Sequence, residues 1–284
     1  MTDPVISAAE LLTILGKPGL VILESTKYLA GEPGNPAAEF AAGRIPGARY
    51  FDVDAISDAD SPLPHMLPAA GRFARMVGAL GIGNDSEIVV YDRGPMFWAS
   101  RVWWMFGAMG HDRVRVLDGG WTAWLAADGP VETASPVAPR PASFVPSPRA
   151  TRVRGIGDLI GNLASKAELV VDARGGPRFR AEVPEPRAGL RSGHIPGAVN
   201  LPAASLIGAD KTMLPVAALK EKLAAAGIDG AKPIVTSCGS GVSATLITLA
   251  MVRSGLAPGA VYDGSWTEWG ARQDLPLETG PIET

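Results

Sequence analysis

Ile234-Val235-Thr236-Ser237-Cys238-Gly239-Ser240-Gly241-Val242-Ser243-Ala244 runs from a short β-branched stretch through a cysteine and two glycines into an amphipathic continuation. That order predicts a strand, a tight loop and a helix. Such a turn aims backbone N–H groups and a helix N-terminus at one sulfur atom, which favours a thiolate and any anion built on it. Cys238 is the only cysteine in the chain. A lone cysteine can equally be a small apolar core residue. The neighbours argue for chemistry: Gly239 and Gly241 leave room for close approach, and Ser237, Ser240 and Ser243 bring hydroxyls rather than apolar groups.

Working outward, the same signatures occur once in each half. Gly43-Arg44-Ile45-Pro46-Gly47-Ala48 recurs as Gly193-His194-Ile195-Pro196-Gly197-Ala198, and Ile88-Val89-Val90-Tyr91-Asp92 recurs as Ile234 to Cys238. Leu117-Asp118-Gly119-Gly120-Trp121-Thr122-Ala123-Trp124 recurs as Tyr262-Asp263-Gly264-Ser265-Trp266-Thr267-Glu268-Trp269. Val21-Ile22-Leu23-Glu24 matches Leu169-Val170-Val171-Asp172 more weakly. The spacings, 150, 146, 145 and 148 residues, are nearly constant and keep one order, as in a tandem domain. Asp92 holds the position of Cys238 in the first copy, which is therefore expected to be inert there. The expected domains are 1–135 and 151–284, joined by a stiff linker over 136–150 with proline at 136, 139, 141, 146 and 148.

Each half alternates strand and helix signals. In the first, Ser7-Ala8-Ala9-Glu10 is a capping box opening a helix through Leu15. Strands are expected at Leu20–Leu23, Glu87–Tyr91 and Arg113–Leu117, and helices at Phe97–Met109 and Trp121–Ala127. The second half repeats the pattern with helices at Ile156–Ser165, Val216–Ala226 and Val242–Ser254. Its strands are Leu169–Asp172, Lys232–Ser237 and Ala260–Tyr262. Short apolar strands between helices predict an α/β fold, each domain a parallel β-sheet with helices on both faces. Sites in such sheets lie beyond the C-terminal strand ends, where Cys238 falls.

Composition narrows the function classes. The 284 residues are 46% hydrophobic and 19% charged with net charge −3, which gives no footing for a nucleic-acid or membrane-surface partner. One cysteine makes no internal disulfide, Met1-Thr2-Asp3-Pro4 carries no secretory-leader pattern, and a cytoplasmic protein is expected. One cysteine and three scattered histidines lack metal-ligand spacing, and Gly81-Ile82-Gly83 is not a dinucleotide fingerprint, so no cofactor is expected.

With the doubled Gly-(Arg/His)-Ile-Pro-Gly-Ala motif, the cysteine loop and Asp263-Gly264-Ser265-Trp266-Thr267-Glu268-Trp269 in hand, the chain resembles the two-domain, tandem rhodanese sulfurtransferases. The loop Cys238-Gly239-Ser240-Gly241-Val242 is similar to that of the 3-mercaptopyruvate sulfurtransferases. Thiosulfate-directed relatives place basic residues where Gly239 and Ser240 stand. The resemblance implies that Cys238 takes sulfur from 3-mercaptopyruvate, releases pyruvate, and passes the persulfide sulfur to a thiol such as thioredoxin or to cyanide. It implies a catalytic set of Cys238, Ser240, His65 and Asp54, with His65 reaching Cys238 across a domain interface. It places Arg178 and Arg187 on the substrate, with loop residues Gly239, Gly241, Val242 and Ser243 lining the site.

Each assignment has a plainer rival. The arginines could be surface ion pairs with Glu182 and Glu185, with Arg180 and Arg191 as less defined neighbours. His65, in Pro64-His65-Met66-Leu67-Pro68, could be an idle loop histidine. His194 replaces Arg44 of the first copy and is expected to be a structural turn residue; His111 has no supporting context. The paired tryptophans are expected in the core. A cysteine-dependent phosphatase needs an arginine six residues on, where Ala244 stands, and is set aside. Thiosulfate as donor, or a sulfur-relay module without turnover, are the other readings.

Overall fold

A computed structural model describes residues 3–29 and 32–281. The first half runs β1 (Val5–Ile6), α1 (Ala8–Ile14), β2 (Leu20–Glu24), α2 (Pro36–Ala42), β3 (Arg49–Tyr50) and α3 (Val53–Ile56). It continues through α4 (Ala70–Ala79), β4 (Glu87–Tyr91), α5 (Phe97–Ala108), β5 (Val114–Leu117) and α6 (Gly120–Ala126). The second runs β6 (Val153–Arg154), α7 (Ile156–Ser165), β7 (Leu169–Asp172), α8 (Gly176–Phe179) and β8 (Val199–Asn200). After it come α9 (Val216–Ala225), β9 (Ile234–Ser237), α10 (Ala244–Arg253), β10 (Ala260–Tyr262) and α11 (Ser265–Trp269). Each half builds one five-stranded parallel sheet, in the orders β1-β5-β4-β2-β3 and β6-β10-β9-β7-β8, so the topology is repeated.

The central strands are buried almost end to end, and β2 and β4 are apolar over most of their length, as a sheet covered on both faces requires. The Ser7 hydroxyl caps α1 by accepting the Glu10 N–H at 3.1 Å. Trp124 anchors one core cluster with Leu11, Ile22, Val89 and Leu117. Trp266 and Trp269 anchor its counterpart with Val170, Val235 and Tyr262. The helix after Cys238 begins at Ala244, two residues later than its apolar pattern, because the loop continues through Ser243 with Gly241 at φ 73°.

The chain divides into two compact units, but not by a single cut. The first comprises 1–60, 67–149 and 209–213; the second comprises 61–66, 150–208 and 214–284. The segment Ser61–Met66, which carries His65, thus belongs to the unit of Cys238. The proline-rich stretch is extended and bonded along the first unit: Ala142 N to Gly78 O at 2.9 Å and Ser147 N to Met109 O at 2.8 Å. Among the described residues no helix is long and apolar enough to cross a membrane.

Candidate active site

Cys238 directly follows β9 and is 2% exposed. The first turn of α11 fixes its backbone: Cys238 N donates to Ser265 Oγ at 3.1 Å, and Trp266 N donates to Cys238 O at 3.0 Å. Thr267 N donates to Gly239 O at 2.9 Å. Ser265 donates in turn to Tyr262 O at 2.7 Å. It sits at φ 48°, a left-handed conformation costly for a residue with a side chain; the first copy has Gly120 there at φ 53°. Serine is held in that conformation by the bonds its hydroxyl makes, which include one accepted from Ser237 Oγ at 3.5 Å. The repeat alignment carried the signal for Ser265, as a glycine exchanged for a hydroxyl.

Ser240 and Val242 are buried beside Cys238 in sequence, while Gly239 and Ser243 are half-buried. Gly239 faces the two arginines. A Cβ on it would lie 3.3 Å from Arg178 Nη2 and 3.8 Å from Arg187 Nη1, so both guanidinium groups stand against the cysteine loop. Arg178 is also ion-paired, as the plainer reading held. Its Nε and Nη2 donate to Glu185 at 3.1 and 2.5 Å. Yet Glu185 is no surface residue: its side chain is 1% exposed and also accepts from Arg174 Nη1 at 2.8 Å. Arg174, 2% exposed, grips Asp172 through Nε and Nη2, donates to Gly193 O at 2.7 Å, and lies 4.3 Å over the Trp266 ring. Asp172, Arg174 and Glu185 form a buried chain that ends on Arg178. Arg180 pairs with exposed Glu182, and Arg191 donates to the carbonyl oxygens of Trp269, Gly270 and Leu275.

His65 is buried in the second unit at φ 61°. Asp54 lies in the first unit, exposed on α3, with its carboxylate paired to Lys27. His194 is 2% exposed, stacks on Phe179 at 3.7 Å, and its Nδ1 donates to Phe179 O at 2.8 Å. Its backbone bridges Glu278 as that of Arg44 bridges Glu132.

The first copy shows what such a loop binds. The Asp92 carboxylate is fully buried and accepts four backbone N–H bonds: Gly94 at 2.9 Å, Met96 at 3.1 Å, Trp98 at 3.0 Å and Ala99 at 2.9 Å. Burial pushes this carboxyl up from its usual range, and the four donors oppose that rise. The first-copy loop is an anion cradle, filled by the chain's own carboxylate.

A model of the rhodanese-like domain matches residues 7–127 and 156–272. The chain is 40% identical over 269 residues to the 3-mercaptopyruvate sulfurtransferase of Escherichia coli strain K12, with 92% of each covered. It is 38% identical over 298 residues to thiosulfate/3-mercaptopyruvate sulfurtransferase 1, mitochondrial, of Arabidopsis thaliana, covering 98% of this chain and 79% of that protein. Among solved structures, SseA from Escherichia coli, described as a 3-mercaptopyruvate sulfotransferase of rhodanese fold, superposes with a TM-score of 0.84 at 34% identity. That match covers 93% of this chain and 99% of SseA.

Proposed function

The chain belongs to the rhodanese-like family, and from that premise we propose that it is a 3-mercaptopyruvate sulfurtransferase working through a persulfide on Cys238. The observation that carries the reading is Arg178 and Arg187 standing against Gly239, one residue from the only thiol. Guanidinium forks bind the carboxylate and carbonyl oxygens of a keto acid.

In the first step the Cys238 thiolate attacks the donor sulfur. An S–S bond forms and the C–S bond breaks. The electron pair leaves on C3 as the enolate of pyruvate, which takes up one proton to give pyruvate. The arginines hold the carboxylate and the enolate oxygen as charge grows there. In the second step an acceptor thiolate, such as that of thioredoxin, attacks the outer sulfur and returns Cys238 as thiolate. Cyanide as acceptor gives thiocyanate. A free catalytic thiol suits a reducing compartment such as the cytoplasm.

Ser240 and His65 are assigned the proton. Support for His65 comes from the repeat. Lys211 stands 146 residues after His65, the separation that relates Asp92 to Cys238. His65 and Lys211 share a left-handed backbone, φ 61° and 66°. In the first unit Lys211 Nζ donates to the carbonyl of Arg93, the residue after Asp92, at 3.4 Å. His65 is assigned the same station over the loop of Cys238. Thiosulfate remains the second donor, since the Arabidopsis relative carries both donors in its name.

The test is Cys238→Ser with intact-mass detection after exposure to mercaptopyruvate. The wild type should gain one sulfur atom and release pyruvate, and the variant should do neither. Turnover in the variant would overturn the assignment.

A further inference from the structure

The buried chain beneath the substrate arginines has a charge count. Arg174, Arg178 and Arg187 supply three positive charges, and Asp172 and Glu185 remove two. These five side chains therefore sum to one net positive charge, set against the single negative charge of the Cys238 thiolate. 3-Mercaptopyruvate at neutral pH presents one carboxylate and a neutral thiol, whereas thiosulfate is a dianion. Glu185 is the group that decides the count on the pocket side, because it binds Arg178 directly with two bonds and is shielded from water. Its pairing with Arg174 keeps it from swinging away.

We propose that Glu185 is a specificity-determining residue. It both aims Arg178 and cancels one unit of pocket charge, so that the site accepts a monoanionic keto-acid donor and disfavours a dianionic one. This rests on the assignment of Arg178 to the donor site. Neighbouring Gly239 fits the same logic, since it adds no charge to the loop.

The test uses donor half-reaction kcat/KM for mercaptopyruvate and for thiosulfate, on wild type, Glu185→Gln, Glu185→Asp and Arg178→Ala. Glu185→Gln leaves two net positive charges and keeps hydrogen-bonding atoms near both arginines. The ratio of kcat/KM for thiosulfate to that for mercaptopyruvate should rise about tenfold, and added neutral salt should erase most of the gain. Equal loss for both donors would mean that Glu185 only aims Arg178, and would overturn the charge role. Glu185→Asp keeps the charge and shortens the reach, so both KM values should rise while the ratio stays near wild type. A shifted ratio in it overturns the proposal even if the Gln variant does not fold. Unchanged KM for both donors in Arg178→Ala would instead remove Arg178 from the site, and this inference would fall with that assignment.

Discussion

Asp92→Asn tests whether the first copy is a self-filled version of the catalytic loop. Each oxygen of the Asp92 carboxylate accepts two backbone N–H groups: Gly94 and Met96 on Oδ1, Trp98 and Ala99 on Oδ2. Asparagine has the same shape but one acceptor oxygen. Whichever way the amide turns, two buried donors meet an NH2 group instead of an oxygen. Leaving a buried donor unpaired costs about 1–3 kcal/mol, so the two together cost about 2–6 kcal/mol. Removing a buried charge returns part of this, which leaves a net loss of about 2–4 kcal/mol. With a urea slope of about 2 kcal/mol/M, the midpoint of the first unit should fall by about 1–2 M. Five of the seven tryptophans (98, 103, 104, 121 and 124) lie in that unit, so fluorescence follows its unfolding. Domains are stable by about 5–15 kcal/mol, so the variant should be folded without urea. Its sulfur transfer should then match wild type, because Asp92 takes no part in the chemistry. An unchanged midpoint would refute the cradle argument, and lost activity in a folded variant would refute the inert reading of the first copy.

Other expectations follow from the same geometry. His65→Ala and Ser240→Ala should each slow mercaptopyruvate turnover by about 10²-fold or more, the usual worth of a positioned acid or base. Thiosulfate turnover should fall far less, since its leaving group needs no proton on carbon; equal losses in parallel assays would remove the proton role. His111 lies between the rings of Phe106 and Phe144, and burial holds its imidazole below the ordinary range. The folded state then binds fewer protons than the unfolded state. The stability it contributes is present above the unfolded pKa of about 6.5 and is lost as pH falls below it. The thermal midpoint of His111→Gln should therefore fall less between pH 7 and pH 5 than that of wild type. Parallel curves would show that His111 titrates as in the unfolded chain.

The α/β fold was legible because the decisive strands are apolar runs of four or five residues and the signatures occur twice. The edge strands Val5–Ile6, Arg49–Tyr50, Val153–Arg154 and Val199–Asn200 were not, since two residues carry no periodicity. Helix Pro36–Ala42 also went unread, although Asn35 caps it by accepting Ala38 N–H at 3.1 Å and proline opens it. At the site, Cys238 and its glycines could be read locally because the loop is local. Glu185 could not. A glutamate beside prolines and arginines in sequence looks like a solvated charge, and only the fold closes Arg174 and Arg178 around it. The grouping of Ser61–Met66 with the second unit is a tertiary fact of the same kind, invisible to a division by sequence boundary.

The two copies solve one packing problem in two ways, and the difference bears on what stands against the cysteine loop. In each, a guanidinium covers the first tryptophan of the repeated motif and donates to the first glycine of the Ile-Pro-Gly segment. In the first copy this is Arg93, 4.6 Å over Trp121 and 2.5 Å from Gly43 O, gripping buried Glu24. In the second it is Arg174, 4.3 Å over Trp266 and 2.7 Å from Gly193 O, gripping buried Asp172. Arg93 follows the loop position Asp92, so its side chain starts from the mouth of the cradle. Arg174 comes instead from the loop two residues beyond β7, which frees the residue after Cys238 to be glycine. With no side chain at position 239, Arg178 and Arg187 stand directly against the loop backbone; a Cβ there would already sit 3.3 Å from Arg178 Nη2. Moving the structural cation off the loop thus leaves glycine, not a bound guanidinium, as the residue of the cysteine loop that faces Arg178 and Arg187.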